Sequence, residues 1–153
     1  MSQDNRLSAV LHALLHMADH SGPLTSDELA RMMSTNPVVV RRTMAGLREA
    51  GLVRSARGRG GGWELARDLA SVTLRDIYDA LGAPRLIAMG IPLAHPGCRV
   101  EQAVNHALGS AFADAEALLV DRLGAVTLAA LAADFSHRAI RHHHRNKGDA
   151  PHA

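Results

Sequence analysis

The 153-residue sequence predicts a mainly α fold: a helical N-terminal unit carrying one two-stranded β-hairpin, then a linker, a long helix and a final helix. Three observations predict it. Apolar residues recur at helical spacing through most of the chain, and at 47% of the composition they suffice for a core. The run Arg57-Gly58-Arg59-Gly60-Gly61-Gly62 lies between two short strand-like stretches, where glycines permit tight reversal and close backbone approach. Pro84, Gly90, Pro92, Pro96 and Gly97 interrupt the helical pattern before an alanine-rich C-terminal stretch. The expected division is 1–82 for the N-terminal unit, 83–97 for the linker, 98–145 for dimerisation helices and 146–153 for a disordered tail.

Leu7, Val10, Leu11, Leu14, Leu15 and Ala18 follow the i, i+3, i+4, i+7 rule and predict an amphipathic first helix, broken by Ser21-Gly22-Pro23. Thr25 or Ser26 can cap a short second helix, whose first turn holds Asp27 and Glu28 and whose inner face holds Leu29, Ala30 and Met33. Ser34-Thr35-Asn36-Pro37 is a tight connection ending in a cap and a proline at the first helical position. A third helix runs from about Pro37 to Ala50 with Val40, Met44 and Leu47 inward, and Gly51 stops it. Leu52-Val53-Arg54 and Trp63-Glu64-Leu65 read as the two strands around the glycine loop. Two short helices joined by a tight turn, the second carrying arginines, followed by a hairpin, make a winged helix-turn-helix. The glycines lie between two strands with no Gly-Lys-Ser/Thr after them, which argues against a nucleotide-phosphate loop.

Leu74, Ile77, Tyr78 and Leu81 predict a fourth helix with Thr73 near its start, ended by Gly82 and Pro84. The long helix covers about Arg99 to Leu123, with Val104, Leu108, Ala111, Ala115 and Leu118 spaced in fours and threes as at a coiled-coil seam. Alanines at 103, 107, 111, 113, 115 and 117 would let another helix approach closely. The last helix runs from near Thr127 to about Arg141 with Leu128, Leu131, Phe135 and Ile140 apolar. These two helices can bury only part of their apolar surface on the N-terminal unit, so a homodimer is expected; the alternative is an intramolecular helical hairpin. A dimer would set two recognition helices about one DNA turn apart, roughly 34 Å.

The net charge of +2 conceals an uneven distribution. Residues 31–59 hold seven arginines (31, 41, 42, 48, 54, 57 and 59) against Glu49 alone, a balance of +6, and the rest of the chain stands at −4. Such asymmetry predicts a face for a polyanion, and arginine presents a planar fork to phosphates and base edges. No apolar run approaches the roughly 18–20 residues of a membrane span. No signal peptide is visible, and cytoplasmic residence is expected. One cysteine excludes an intramolecular disulfide and any site built from several thiolates of one chain. His12, His16 and His20 recur every four residues opposite the apolar face of the first helix and read as a solvated stripe. His142-His143-His144 reads as an adventitious metal-binding tail, and no metal is expected.

Ser26-Asp27-Glu28-Leu29-Ala30, Leu47-Arg48-Glu49-Ala50-Gly51-Leu52-Val53, Val72-Thr73-Leu74-Arg75-Asp76-Ile77 and above all Arg57-Gly58-Arg59-Gly60-Gly61-Gly62-Trp63-Glu64-Leu65-Ala66 resemble the IscR/NsrR-type (Rrf family) winged-helix transcriptional regulators of bacteria. The resemblance covers about residues 6–135, with Trp63 where tyrosine or phenylalanine is commoner. It implies a homodimeric repressor or activator whose third helix enters the major groove and whose wing arginine reaches the minor groove. Carried over by motif, Asn36, Val38, Arg41, Arg42 and Arg48 fall on the recognition element and Arg57 on the wing; Arg59 stands where the family often has proline. Arg41 is the first choice for a base contact, bidentate to guanine. Thr25, Ser26 and Arg54 are expected to position phosphates.

Cluster-binding members have three cysteines near the start of the long helix, whereas here the region reads His95-Pro96-Gly97-Cys98-Arg99-Val100. The chain resembles the cluster-free, YwnA-like branch, and no cofactor is expected. Cys98, at a helix start beside Arg99, is the sensor candidate, placed for oxidation or electrophile capture; a small apolar filler is the alternative. The expected function is a dimeric DNA-binding repressor acting on an inverted-repeat operator and answering a redox, electrophile or small-molecule signal. An iron–sulfur or other metal-dependent regulator of the same fold is one alternative. Outside that class stand a protein-interaction adaptor and a thiol enzyme, although no Ser/His/Asp, metal-protease or deaminase spacing occurs.

Overall fold

The computed structural model describes residues 6–87 and 97–136. The first helix, α1 (Arg6–Asp19), buries Val10, Ala13, Leu14 and Met17. Ala18 is exposed, and Leu11 and Leu15 are half-buried. Two apolar stripes are interleaved on this helix, one through Leu7, Leu11 and Leu15 and one through Val10, Leu14 and Met17. Packing against the next helices and the wing selects the second, so the inner face is turned from the one that counting leucines suggests.

Thr25, not Ser26, caps α2 (Ser26–Met32). Its hydroxyl accepts from the Glu28 N–H at 3.2 Å, and the Glu28 carboxylate accepts from both the Thr25 N–H and the Thr25 hydroxyl at 2.8 Å. Leu29, Ala30 and Met33 are buried as expected. Asn36 begins α3 (Pro37–Glu49) by accepting from the N–H groups of Val38 and Val39, both at 3.1 Å, with Pro37 at the first helical position. Val40, Thr43, Met44 and Leu47 form its buried face. Gly51, at φ 72°, takes the left-handed conformation that ends the helix.

The wing is an antiparallel pair, β1 (Val53–Ala56) and β2 (Gly62–Leu65), in register from Val53 opposite Leu65 to Ala56 opposite Gly62. β2 has a second partner that the sequence pattern does not announce. Leu24 pairs with Trp63 through N–H···O bonds of 2.9 and 2.7 Å, tying the wing to the segment between α1 and α2. Gly62 lies so close to the Leu24 carbonyl that any Cβ would overlap it.

A short 3₁₀ turn (Leu69–Ser71) leads to α4 (Leu74–Ala80), capped by Thr73 with Asp76 in a second capping box. The long helix α5 (Arg99–Gly124) has no buried residue. The final helix, α6, is described over 128–136. Thr73 pairs with Thr127: the Leu74 N–H meets the Val126 carbonyl and the Leu128 N–H meets the Val72 carbonyl, both at 2.9 Å. Leu128 is thereby set into the same core as Leu14, Leu29, Met44, Leu47 and Ile77. The C-terminal segment is therefore anchored in the N-terminal unit, while most of α5 is left outside it. Most of the expected linker, His95, the expected helical residues 137–145 and the histidine-rich tail lie outside the described residues.

Candidate nucleic-acid interface

The cap that starts α3 also decides what α3 shows to solvent. With Val40, Thr43, Met44 and Leu47 turned inward, Val38, Arg41, Arg42 and Arg48 are exposed. Asn36 is exposed too, but its side-chain oxygen is occupied by the two helix N–H groups, so its amide donors are what it can offer outward. The wing tip adds Arg57 and Arg59, both exposed, on a turn in which Gly58 and Gly60 adopt φ values of 94° and 75°. Among the described residues, Arg41, Arg42, Arg48, Arg57 and Arg59 form no ion pair. Five guanidinium groups without an ion pair concentrate positive charge on one helix and one hairpin.

The remaining expected contacts have internal partners. The Arg54 Nε donates to the Glu64 Oε1 across the wing at 2.7 Å, a pair that stiffens the hairpin and lowers the local charge. Thr25 is engaged in its capping box. Ser26 accepts from the Trp63 indole N–H at 3.1 Å, so it locks the wing against α2. Sequence spacing did not disclose that last bond, because its partners are 37 residues apart.

Two capping carboxylates are held below their ordinary pKa. Glu28 is lowered chiefly by the Thr25 N–H and then by its hydroxyl, and Asp76 likewise by the Thr73 N–H and then by its hydroxyl. The histidine stripe is exposed as expected, with the His12 and His16 Nε2 atoms 2.9 Å apart. Cys98 is exposed at the N-cap position of α5, where its side chain makes no capping bond and its carbonyl accepts from the Gln102 N–H at 2.9 Å. Far along α5 from Cys98, the start of the linker is clasped: the Leu86 N–H donates to Glu116 of α5, and the Tyr78 hydroxyl donates to the Pro84 carbonyl, both at 2.9 Å.

A capped helix-turn-helix, an arginine-bearing second helix and a glycine-tipped wing together define a DNA-binding, winged-helix regulator of transcription. The family described as Rrf2, iron-dependent transcriptional regulator, matches residues 3–134, and the chain belongs to that family. It is 26% identical over 125 residues to the candidate HTH-type transcriptional regulator YwnA of Bacillus subtilis (strain 168), covering 82% of this chain and 92% of that one. The crystal structure of a candidate transcriptional regulator from Lactobacillus plantarum superimposes with a TM-score of 0.71 at 24% identity, over 96% of this chain and 100% of that one. CymR (YrzC), the global cysteine regulator of B. subtilis, does so with a TM-score of 0.59 at 23% identity, over 87% and 95% of the respective chains. The two structural likenesses carry the fold.

The family description names iron, and the donors of this chain do not fit an iron–sulfur cluster. Such clusters take four thiolate-like ligands, and the chain has one cysteine. Among the described residues, no three His, Cys, Asp or Glu side chains are grouped to hold a metal ion. No described helix is long and apolar enough to cross a membrane.

Proposed function

We propose that the protein is a homodimeric, cytoplasmic transcriptional repressor that binds an inverted-repeat operator and catalyses no reaction. The observation that carries this reading is the set of exposed arginines without an ion pair among the described residues, Arg41, Arg42 and Arg48 on α3 and Arg57 and Arg59 at the wing tip. α3 enters the major groove with Arg41 directed at a guanine, and Arg57 reaches from the wing into the adjacent minor groove. Thr25, Ser26 and Arg54 position phosphates, and Asn36, Arg42 and Arg48 share the recognition element with Arg41. The exposed apolar residues of α5 supply the dimer contact. The test is a gel shift with DNA upstream of the protein's own gene. Wild-type protein binds sequence-selectively and an Arg41→Ala, Arg57→Ala double variant does not; absence of selective binding by the wild type overturns the reading.

The exposure of Cys98 at the start of α5 supports a thiol sensor in place of a cluster. Oxidation or alkylation there changes charge and volume at the head of the proposed dimer helix. Promoter binding by Cys98→Ser, compared with wild type with and without peroxide or a quinone, tests it. A response that survives the substitution removes Cys98 from signalling.

A further inference from the structure

Every exposed large apolar side chain in the described structure lies on α5 or α6 except one, Val38, which is 60% exposed in the first turn of α3. The proposed self-association of the C-terminal helices would cover the others, but not Val38. It is isolated from any apolar patch and stands on the face that carries Arg41 and Arg42, three and four residues further on. A protein partner would need a larger apolar area than one valine offers, whereas the surrounding guanidinium groups favour a polyanion. Base edges in the DNA major groove carry one apolar group, the 5-methyl of thymine.

We infer that Val38 reads a thymine 5-methyl group in the operator half-site, next to the base pair engaged by Arg41. The inference rests on the DNA-binding reading above and adds a specificity element to it. The side chain is prepared for this task. Valine in a helix is held to one dominant χ1 rotamer, and the backbone beneath it is fixed because the Val38 and Val39 N–H groups both donate to Asn36. The N-terminal residues of a recognition helix are also those that reach base edges. Arg41 would supply hydrogen-bond readout and Val38 apolar readout within one helical turn, so one face of α3 would distinguish a thymine from a cytosine or uracil as well as a guanine from an adenine.

The test begins with full-length protein and a random duplex pool. The selected operator is then synthesised with each thymine replaced singly by deoxyuridine, which removes only the methyl group. Affinity is read by fluorescence anisotropy at fixed salt. One thymine per half-site should be sensitive, with affinity falling about fourfold for each half-site changed, the factor that burying one methyl group supplies. Val38→Ala should bind the thymine and uracil operators equally, and Val38→Thr, which keeps a γ-methyl, should retain the difference. Because Val38 is exposed, both variants should show wild-type thermal unfolding. Uniform indifference to deoxyuridine in the wild type, or undiminished discrimination by Val38→Ala, overturns the inference. Failure to select any sequence overturns the DNA-binding reading instead, so the two failures are distinct.

Discussion

The two capping boxes show what a single residue can decide. Thr25–Glu28 and Thr73–Asp76 each satisfy otherwise unpaired N–H groups at a helix start. Both carboxylates are held below their ordinary values, so their sign is settled. Between the folded and unfolded pKa the unfolded chain binds more protons. The stabilisation is therefore complete above the ordinary carboxylate range, about pH 4, and is lost as pH falls through the folded values. Urea unfolding midpoints should drop on acidification below about pH 4, and the drop should be shallower in a Glu28→Gln, Asp76→Asn double variant. Thr73→Ala, which removes the cap hydroxyl, should cost about 1 kcal/mol and lower the melting temperature by about 2–4 °C in thermal unfolding. At this scale the sequence was partly legible. Asn36-Pro37 pointed to one cap position, whereas the adjacent Thr25 and Ser26 were equivalent until the fold engaged Ser26 with Trp63.

Among the elements, the wing was readable from its glycines and its attachment was not. A glycine run between strand-like stretches announces a hairpin, but the Leu24–Trp63 and Thr73–Thr127 pairings are single-residue bridges. They have no period, and it is tertiary packing that creates them. The rotated face of α1 has the same origin: Ala13 and Met17 are inside because the neighbours of α1 select between two plausible stripes. Gly62 carries the consequence for function. Gly62→Ala would push the wing off Leu24 or force both backbones to shift, with an expected loss of roughly 1–3 kcal/mol. Thermal unfolding checks the stability. The sole tryptophan, Trp63 on β2, provides the local readout. Its emission should shift to the red in Gly62→Ala as the indole leaves Ser26. If the emission stays unchanged, the Leu24 bridge is not what seats the wing.

For the molecule as a whole, the issue is what covers α5. The core runs from α1 to α4 and takes in Leu128, and Leu123, Val126 and Leu131 pack against it, so the helix is held at its C-terminal end. The rest of α5 exposes Val100, Val104, Leu108, Leu118 and Leu119. The helix and its repeating apolar positions were legible because a helix repeats itself; the anchoring of its far end through Thr127 was not. Val100, Val104 and Leu108 recur every four residues, which keeps them on one face, and the alanines between them permit close approach of a second helix. A second copy presents the same face and would bury it by symmetry. The charge distribution agrees, since the +6 segment lies at 31–59, away from α5 in sequence. Leu108 is outside the core, so Leu108→Asp should leave the winged unit folded while placing a carboxylate in the proposed seam. Sedimentation equilibrium should show wild-type dimers and monomeric Leu108→Asp with wild-type helical content by circular dichroism. Because linking two half-site readers multiplies affinity, the variant should bind the full operator at least roughly 10²-fold more weakly, and the slope of log affinity against log salt should shrink as one set of phosphate contacts is lost. A Leu108→Asp protein that still sediments as a dimer would place the interface elsewhere on the chain.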